Sequence, residues 1–497
     1  MMKRSLFVCT VLLLATAWLW TIPLLAAETH SQTYQGNGGS PRNMPPLTTP
    51  GLQLGRTVGE KSLVTVPAEE IAAKTKSAPV DENKQRRMVG VHVDVPAYDD
   101  AVWERLTGPQ GATSWRLAIA APGAKFLRAH FSVYRPAATD VVVVYGELDP
   151  AQARRVRSVE VAGEADVWAP PTKGERLHVE VLTSSATPPK LVIDLVSYGL
   201  ADMAQNKEAG CYLDPTCYAA WDDLKTGIGH VSLESGGGAY VCSGALLNDT
   251  ASSGTPWFMT ANHCVSTEAE ADTVVVSWRF HTEECNGDPP DFYSTPYSEG
   301  SDMVFTDTLT DSTLLELDED PPNGTSYIGW TTADVIPGDD VTTLHHPDGA
   351  FMRITFGEVI YLDVNFYSIL YSESSTEGGS SGAPLFNDDQ QVIGALSGGD
   401  ASCYYMEGLD EFGKFNVAYG AGMNEFLDNA DDDDDDTDDD DDDDDDDLDD
   451  DDDDIDDDDD DDDNDDYIPP SDDDDDDDDE QGATQTRDDD SGGGMCG

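Results

Sequence analysis

Two adjacent serines stand among glycines in "TEGGSSGAP", residues 376–384. A serine that attacks a carbonyl carbon needs backbone N–H groups directed at the developing oxyanion, and a tight turn that provides them excludes bulky side chains. In the pattern G-x-S-G-x-P, Ser381 is the candidate nucleophile, the amides of Gly379 and Ser381 would bind the oxyanion, and Ser380 is the intervening residue. Simple turns have similar sequences, so the interpretation requires partner residues.

A histidine ends an apolar run in "WFMTANHCV", residues 257–265. At a strand end and beside a cysteine, His263 is a candidate general base held in one orientation. Cys242, one hairpin upstream, is a candidate to bridge to Cys264 and close a loop beneath the histidine. Without a serine motif, a surface histidine beside a structural disulfide would be the better interpretation.

An aspartate opens the apolar run "DSTLLELD", residues 311–318. A carboxylate at the start of a strand can be drawn inward, where it accepts a hydrogen bond from the second nitrogen of a catalytic histidine. Asp311 is therefore the preferred third member. The competing aspartates are Asp302, Asp307, Asp318 and Asp320.

Strands must position these residues. Short runs that alternate apolar and polar residues, such as "WRLAIAA" and "KLVIDLVSYG", fill residues 88–203 and predict a small all-β domain without cysteines. Strand-rich runs return after residue 208, followed by a short helical end at "GAGMNEFLD". Both units are predicted to be mostly antiparallel β.

The negative charge is concentrated at one end of the chain. Residues 431–497 contain 44 acidic side chains and one arginine, which accounts for −43 of the formal charge of −74. Such a segment has too few apolar residues to fold alone and is predicted to be disordered. Its carboxylates suit weak, diffuse calcium binding, although no EF-hand loop is present. Neither part offers the basic patch that nucleic-acid binding requires.

The N-terminus has the pattern of a secretory signal peptide. Lys3 and Arg4 precede one apolar run, and small residues end it near Ala27. An uncleaved membrane anchor is the alternative. The following residues, 28–87, are rich in Pro, Gly, Ser and Thr and predict a flexible leader.

Export changes the interpretation of the cysteines. An oxidising compartment favours three disulfides among six cysteines, for which the sequence allows 15 pairings. The six are Cys211, Cys217, Cys242, Cys264, Cys285 and Cys403. Their spacing does not match a zinc site, so no metal is expected. For Cys496, a free thiol, an intermolecular bridge and a processing signal all stay open.

Four stretches together resemble one known family: "TANHC", "DSTLLEL", "GGSSGAP" and "GALSGGDASC". They are similar to those of secreted serine proteases of the chymotrypsin fold, and most of all to bacterial lysyl endopeptidases, over about residues 208–428. The resemblance implies a double β-barrel and a catalytic triad of His263, Asp311 and Ser381 that needs no cofactor. It also implies the disulfide pairs Cys211 with Cys403, Cys217 with Cys285, and Cys242 with Cys264.

The resemblance also suggests a specificity pocket. In lysyl endopeptidases a carboxylate near the pocket floor pairs with the substrate lysine, and "EGLDEFGKF" places Asp410 there, with Glu407 and Glu411 as rivals. Ser397 and Gly398 would line this S1 pocket. Ser397 stands where the lysyl enzymes carry a histidine, which weakens the expectation of strict lysine preference. The histidines of "LHHP", His345 and His346, are typical of these proteases and receive no catalytic role.

Residues 88–203 resemble the pro-regions of such proteases. Cleavage after Lys207 would free an N-terminus close to the first cysteine, and self-cleavage there is the hypothesis. The predicted organisation is a signal peptide (1–27), a flexible leader (28–87), a β-rich pro-region (88–207), a chymotrypsin-fold protease domain (208–429) and an acidic disordered tail (430–497).

The predicted function is a secreted, monomeric endopeptidase that cleaves protein or peptide substrates after lysine. A trypsin-like protease of broader basic specificity is the alternative among enzymes. A catalytically inactive secreted binding module and a calcium-responsive surface adhesin are the alternatives from other classes. The presence of all three triad residues argues against the inactive module, because functional decay usually removes at least one of them.

Overall fold

A computed structural model of the chain describes residues 29–36, 48–55, 59–78, 86–109, 111–147, 149–157, 167–203 and 210–428. All of these belong to one compact unit, Met1–Asp435. The predicted signal peptide, the acidic tail, Lys207 and Cys496 lie outside the described residues.

The N-terminal part contains two helices and a series of short strands. The helices are α1 (Pro50–Leu54) and α2 (Ala68–Lys76). The strands are β1 (Tyr34–Gln35), β2 (Leu63–Thr65), β3 (Arg87–Asp94), β4 (Glu104–Thr107), β5 (Thr113–Ala120), β6 (Phe126–Arg135), β7 (Val141–Tyr145), β8 (Arg154–Arg155), β9 (Val167–Trp168), β10 (Thr172–Lys173), β11 (Arg176–Leu182) and β12 (Lys190–Gly199).

Strands β2 to β12 form two layers with a common core. One layer has the order β2-β5-β11-β7-β8, with β4 on the edge of β5, and the other has β10-β6-β12-β3. Because successive side chains of a strand point to opposite faces, the alternating sequence places one set of apolar residues between the layers. Val93, Leu117, Phe131 and Val179 are fully buried there.

The C-terminal part contains two barrel-like units. Its strands are β13 (Ile228–Ser235), β14 (Gly238–Leu247), β15 (Trp257–Thr260), β16 (Val275–Trp278), β17 (Tyr297–Glu299), β18 (Ser301–Asp307), β19 (Ser312–Leu317), β20 (Ser326–Tyr327), β21 (Asp340–His345), β22 (Arg353–Leu362), β23 (Phe366–Glu373), β24 (Pro384–Phe386), β25 (Val392–Gly399) and β26 (Leu409–Lys414). Its helices are α3 (Glu268–Ala271), α4 (Phe415–Ala418) and α5 (Asn424–Leu427).

Strands β13 to β19 form a half-barrel, and β21 to β26 close into a barrel with the order β21-β22-β23-β26-β25-β24. The short helical end predicted at "GAGMNEFLD" is present, with a π-helical turn between α4 and α5. The fold is mostly β, as the sequence predicts. Among the described residues, the helices are too short or too polar to cross a membrane.

One sheet continues from the N-terminal part into the half-barrel. Strand β3 pairs with β14 in antiparallel register, with Gly90 opposite Ala239. Beside this seam, the buried carboxylate of Glu234 lies 2.8 Å from His92 Nε2 and 3.3 Å from Arg128 Nη1. A buried carboxylate needs such partners, so Glu234 ties the two parts together.

The described parts of residues 28–87 do not form the flexible leader that their composition predicted. Strand β1 pairs with β20, and Tyr34 stacks on Tyr327 at 5.0 Å between ring centroids. Helix α1 begins after Thr49, whose hydroxyl donates to the buried Glu180 at 2.5 Å. Described polar residues such as Gln35 and Thr49 hydrogen-bond to the two folded parts, which composition alone could not reveal.

Candidate active site

His263 and Asp311 are held together by two hydrogen bonds. His263 follows β15, and Asp311 precedes β19, which pairs with β15. His263 Nδ1 lies 2.7 Å from Asp311 Oδ2, and the His263 backbone N–H donates to Asp311 Oδ1 at 2.8 Å. Both side chains are 12% exposed. Because the carboxylate holds the ring and the backbone of the same residue, the imidazole has one orientation and directs Nε2 away from Asp311.

Two of the competing aspartates have other partners. Asp307 accepts hydrogen bonds from the backbone of Leu309 and Thr310. Asp318 pairs with Arg157 at 2.8 Å. These contacts leave Asp311 as the preferred partner of His263.

The serine turn packs against the segment that carries His263. The Ser381 carbonyl accepts from the Ser243 N–H at 2.8 Å and lies 3.8 Å from Cys264 Sγ. The same sulfur is 3.8 Å from His263 Nε2. The Cys264 sulfur therefore contacts both the Ser381 backbone and His263 Nε2, so the serine turn and the imidazole are neighbours.

Gly382 permits this close approach. Its φ is 81°, and a Cβ atom there would lie 2.3 Å from Thr260 Oγ1 and 2.4 Å from the Ser243 carbonyl oxygen. No other residue type fits such a position without moving the backbone. Steric crowding thus explains why a glycine follows the candidate nucleophile.

The amides of Gly379 and Ser381 are oriented by the carbonyls that precede them. The Gly378 carbonyl accepts from the Asp348 N–H at 2.8 Å, and the Ser380 carbonyl accepts from the Ala383 N–H at 3.0 Å. In a trans peptide the C=O and the next N–H point in opposite directions. Each of these hydrogen bonds therefore sets the direction of the following amide, those of Gly379 and Ser381.

The side chain of Ser397 lies next to Asp311. Its hydroxyl donates to Asp311 Oδ2 at 2.6 Å, and its assignment to the S1 pocket stays a prediction. A register shift between Leu396 and Gly398 on β25 interrupts the regular alternation of side chains at this point. Gly398 follows on β25 with φ 150°, a backbone conformation that favours glycine. A local bulge of this kind leaves no clear signal in the sequence.

Asp410 lies inside the closed barrel. It is 1% exposed and accepts from the Tyr371 hydroxyl at 3.0 Å, from the Thr376 hydroxyl and from the Ala401 N–H at 3.3 Å. Burial raises the pKa of the Asp410 carboxyl, while these hydrogen bonds to Thr376, Tyr371 and Ala401 oppose the rise. Sequence reasoning missed Tyr371 and Thr376, which precede Asp410 by more than 30 residues.

The rival carboxylates have other surroundings. Glu411 follows Asp410 on β26, and its carboxylate accepts from the Ser368 hydroxyl at 2.8 Å. Glu407 is exposed on the preceding loop. Asp410 also stands opposite Gly399 across the β25–β26 pair. Of the three, Asp410 is the carboxylate that is fully buried.

Three disulfides hold the loops around this region, and their pairing is the one that the resemblance implied. They are Cys211–Cys403, Cys217–Cys285 and Cys242–Cys264. The last joins β14 to the residue after His263, directly beneath the imidazole. In the part of the chain that the structure describes, no group of three or more His, Cys, Asp or Glu side chains is arranged to hold a metal ion.

Two family descriptions match the chain. "Lysyl endopeptidase, C-terminal domain" matches residues 205–413, and "Lysyl endopeptidase N-terminal domain" matches residues 62–198. A curated lysyl endopeptidase from Pseudomonas aeruginosa is 26% identical over 368 residues, which is 68% of this chain and 80% of that protein.

Two solved structures are similar in part. A serine endoprotease from Yersinia pestis is 19% identical with a TM-score of 0.32, over 42% of this chain and 65% of that chain. The active form of a protease from M. tuberculosis is 17% identical with a TM-score of 0.30, over 43% of this chain and 87% of that chain. With both domains of the lysyl endopeptidase family matched over most of its length, the chain is a lysyl endopeptidase-like protease, a serine endopeptidase that acts on protein or peptide substrates.

Proposed function

We propose that the protein is a secreted endopeptidase that cleaves after lysine through an acyl-enzyme on Ser381. The observation that carries the proposal is the His263–Asp311 pair placed against the Ser381 turn, with Cys264 Sγ 3.8 Å from both His263 Nε2 and the Ser381 carbonyl. Few arrangements other than nucleophilic catalysis use a serine, an oriented imidazole and a carboxylate together.

The residues divide the reaction as follows. Ser381 Oγ attacks the scissile carbonyl carbon while His263 Nε2 takes its proton, and Asp311 stabilises the imidazolium through Nδ1–H. The amides of Gly379 and Ser381 donate to the oxyanion, each contributing roughly 3 kcal/mol to transition-state stabilisation. His263 then protonates the leaving amine, and a water activated by the same imidazole releases the acid product.

The lysine preference is proposed from the environment of Asp410. Its hydrogen bonds come from the neutral donors Tyr371, Thr376 and Ala401. A buried carboxylate with neutral partners is costly, and a substrate ammonium would supply the missing positive charge. Substrates without that charge would leave the carboxylate uncompensated, which is a basis for strong discrimination.

A broader basic specificity is the second candidate. Ser397 donates to Asp311 rather than presenting an aromatic ring beside the pocket. Nothing about Asp410 itself selects lysine over arginine, because both side chains are cationic.

The test combines labelling with a substrate panel. Diisopropyl fluorophosphate is expected to inactivate the processed enzyme with one adduct, located on Ser381 and not on Ser380 by peptide mass spectrometry. Peptide amides that differ only at P1 (Lys, Arg, Glu, Phe, Ala) are expected to show lysine preference. Hydrolysis after Lys and Arg alike would favour the second candidate, and no turnover or adduct would refute the protease proposal.

Ser397→Ala is expected to lower kcat about tenfold with little change in KM. The lost hydrogen bond to a charged carboxylate contributes ~1.5 kcal/mol, and Asp311 would then orient His263 less firmly. Steady-state kinetics on a P1-lysine amide measure the effect. A raised KM with an unchanged kcat would instead indicate that the Ser397 side chain lines the S1 pocket.

Tyr371→Phe is expected to move the acid limit of lysine selectivity to higher pH. The Asp410 pKa is raised by burial, and the Tyr371 hydroxyl opposes that rise. Without the hydroxyl the pKa rises further, so the carboxylate that binds lysine is protonated at a higher pH as the pH falls. The measurement is the kcat/KM ratio of P1-lysine to P1-norleucine amides against pH, in which pH effects common to both substrates cancel. Tyr367→Phe, on the same strand, is the matched control. If lysine selectivity in Tyr371→Phe were lost at the same pH as in the unaltered enzyme, the assignment of Asp410 would be contradicted.

The remaining parts of the proposal concern maturation and location. We propose that residues 1–27 direct export, that the enzyme is a monomer without a cofactor, and that it removes its pro-region by cutting after Lys207. Weak calcium binding by the acidic tail stays a separate prediction. A titration of calcium into the full chain and into a chain lacking residues 431–497 would test it.

A further inference from the structure

A line of buried hydrogen bonds runs behind the turn that carries Ser381. Ser380 Oγ lies 2.8 Å from His345 Nδ1, and His345 Nε2 lies 2.9 Å from Thr355 Oγ1. Thr355 Oγ1 in turn donates to Ser374 Oγ at 3.0 Å. His345, Thr355 and Ser380 are fully buried, and Ser374 is 4% exposed.

The donor and acceptor in each of these hydrogen bonds follow from the contacts at the two ends of the line, at Ser380 and at Thr355. The Glu377 N–H donates to Ser380 Oγ at 3.2 Å, and the Thr355 hydroxyl donates to Ser374. Burial lowers the pKa of His345 to about 3, with nearby Arg353 adding to the effect, so the ring is neutral and has one N–H. The Ser380 hydroxyl therefore donates to His345 Nδ1, and the His345 Nε2–H donates to Thr355 Oγ1. In this arrangement each hydroxyl donates one hydrogen bond.

The two ends of this line of hydrogen bonds lie on different structural elements. Thr355 and His345 lie on β22 and β21, which pair within the closed barrel. Ser380 lies in the turn between β23 and β24, directly between the two residues whose amides are proposed to bind the oxyanion. This line of hydrogen bonds therefore connects the barrel sheet to the middle of the turn that carries Ser381.

Other contacts hold this turn through its backbone, including the hydrogen bond from the Ser243 N–H to the Ser381 carbonyl. Ser243 Oγ donates to the Gly379 carbonyl at 2.9 Å, and the Asp348 N–H donates to the Gly378 carbonyl. Among the described contacts, His345 is the imidazole that holds the turn through the Ser380 side chain. A displacement of about 1 Å at such a site is enough to cost roughly 100-fold in rate.

We propose that His345 is a positioning residue for the oxyanion-binding turn and acts on it through the Ser380 hydroxyl. This inference rests on the proposed function, since it assigns a purpose to the orientation of the Gly379 and Ser381 amides. It also gives a role to the side chain next to the nucleophile and to a histidine that makes no contact with the reacting atoms.

The test is a double-mutant cycle of Ser380→Ala, His345→Gln and the double variant. Each single variant is expected to lower kcat by about 10- to 100-fold with KM within about threefold, as when an oxyanion donor is misplaced. The double variant is expected to be no worse than the poorer single variant, because both remove the same connection. Thr343→Val is the matched control, since Thr343 is buried on the same strand and its hydroxyl has no hydrogen-bond partner among the described residues.

A second readout separates positioning from loss of fold. A peptide aldehyde with P1 lysine forms a hemiacetal whose oxygen occupies the oxyanion position, so its inhibition constant should weaken in parallel with kcat. The affinity for butylamine, which occupies only the S1 pocket, should not change. Unchanged kcat and aldehyde affinity in Ser380→Ala would overturn the inference, as would additive losses in the cycle. Wild-type turnover that depends on Ser381 must be present in the same assay, and its absence would refute the proposed function instead.

Discussion

Ser381→Ala is expected to lower kcat on a P1-lysine amide by on the order of 10⁶-fold, because no other group can form the acyl-enzyme. His263→Ala is expected to lose nearly as much, since the serine then keeps its proton during attack. The double variant should be no slower than Ser381→Ala alone, because the residues act as one unit. Stopped assays at high enzyme concentration measure the residual rates.

The control for this series is Ser372→Ala, which removes an exposed serine from β23 and should leave kcat unchanged. The same variants report on maturation. If the enzyme cuts itself after Lys207, the Ser381→Ala chain should accumulate with its pro-region attached, as N-terminal sequencing would show. Appearance of a mature chain beginning at Glu208 in that variant would contradict self-cleavage. Retained amide hydrolysis would contradict Ser381 as the nucleophile.

Asp410→Asn is expected to reduce kcat/KM for a P1-lysine amide by about 10³-fold relative to a P1-norleucine amide. Asparagine keeps the shape of the side chain and can still accept from Tyr371. It cannot compensate the substrate ammonium, and a buried unpaired charge costs roughly 3–5 kcal/mol. Hydrolysis of the norleucine substrate should change little, which shows that the catalytic residues are intact.

Glu411→Gln is the matched control for this prediction. Glu411 is the next residue on β26, and its carboxylate accepts from Ser368 instead of the groups around Asp410. The preference of the Glu411→Gln variant for P1 lysine over P1 norleucine should equal that of the unaltered enzyme. Loss of lysine selectivity in Glu411→Gln but not in Asp410→Asn would transfer the specificity role to Glu411.

Local sequence predicts those features whose physical cause is local. The serine motif names Ser381 because a turn that offers amides to an oxyanion needs glycine, and Gly382 indeed has φ 81° and no room for a Cβ. Alternation of apolar residues predicts the strands of both folded parts, because a strand buries one face. The three cysteine pairs follow from the resemblance to a family rather than from spacing.

Long-range packing decides the rest of the site. The bulge in β25 brings the Ser397 hydroxyl to Asp311, a contact that the sequence did not predict. Tyr371 and Thr376 meet Asp410 only because β23 pairs with β26. The composition of residues 28–87 predicted a flexible leader, whereas β1 and α1 find partners more than 100 residues away.

The class of chemistry and its candidate residues could be inferred from sequence motifs, since motif spacing reports the backbone conformation that each residue requires. The neighbours that contact these residues became visible in the folded chain: Ser397 at Asp311, Tyr371 and Thr376 at Asp410, and His345 at Ser380. Hydrogen bonds depend on distance and direction in space, and strand register sets both between residues that the chain separates widely.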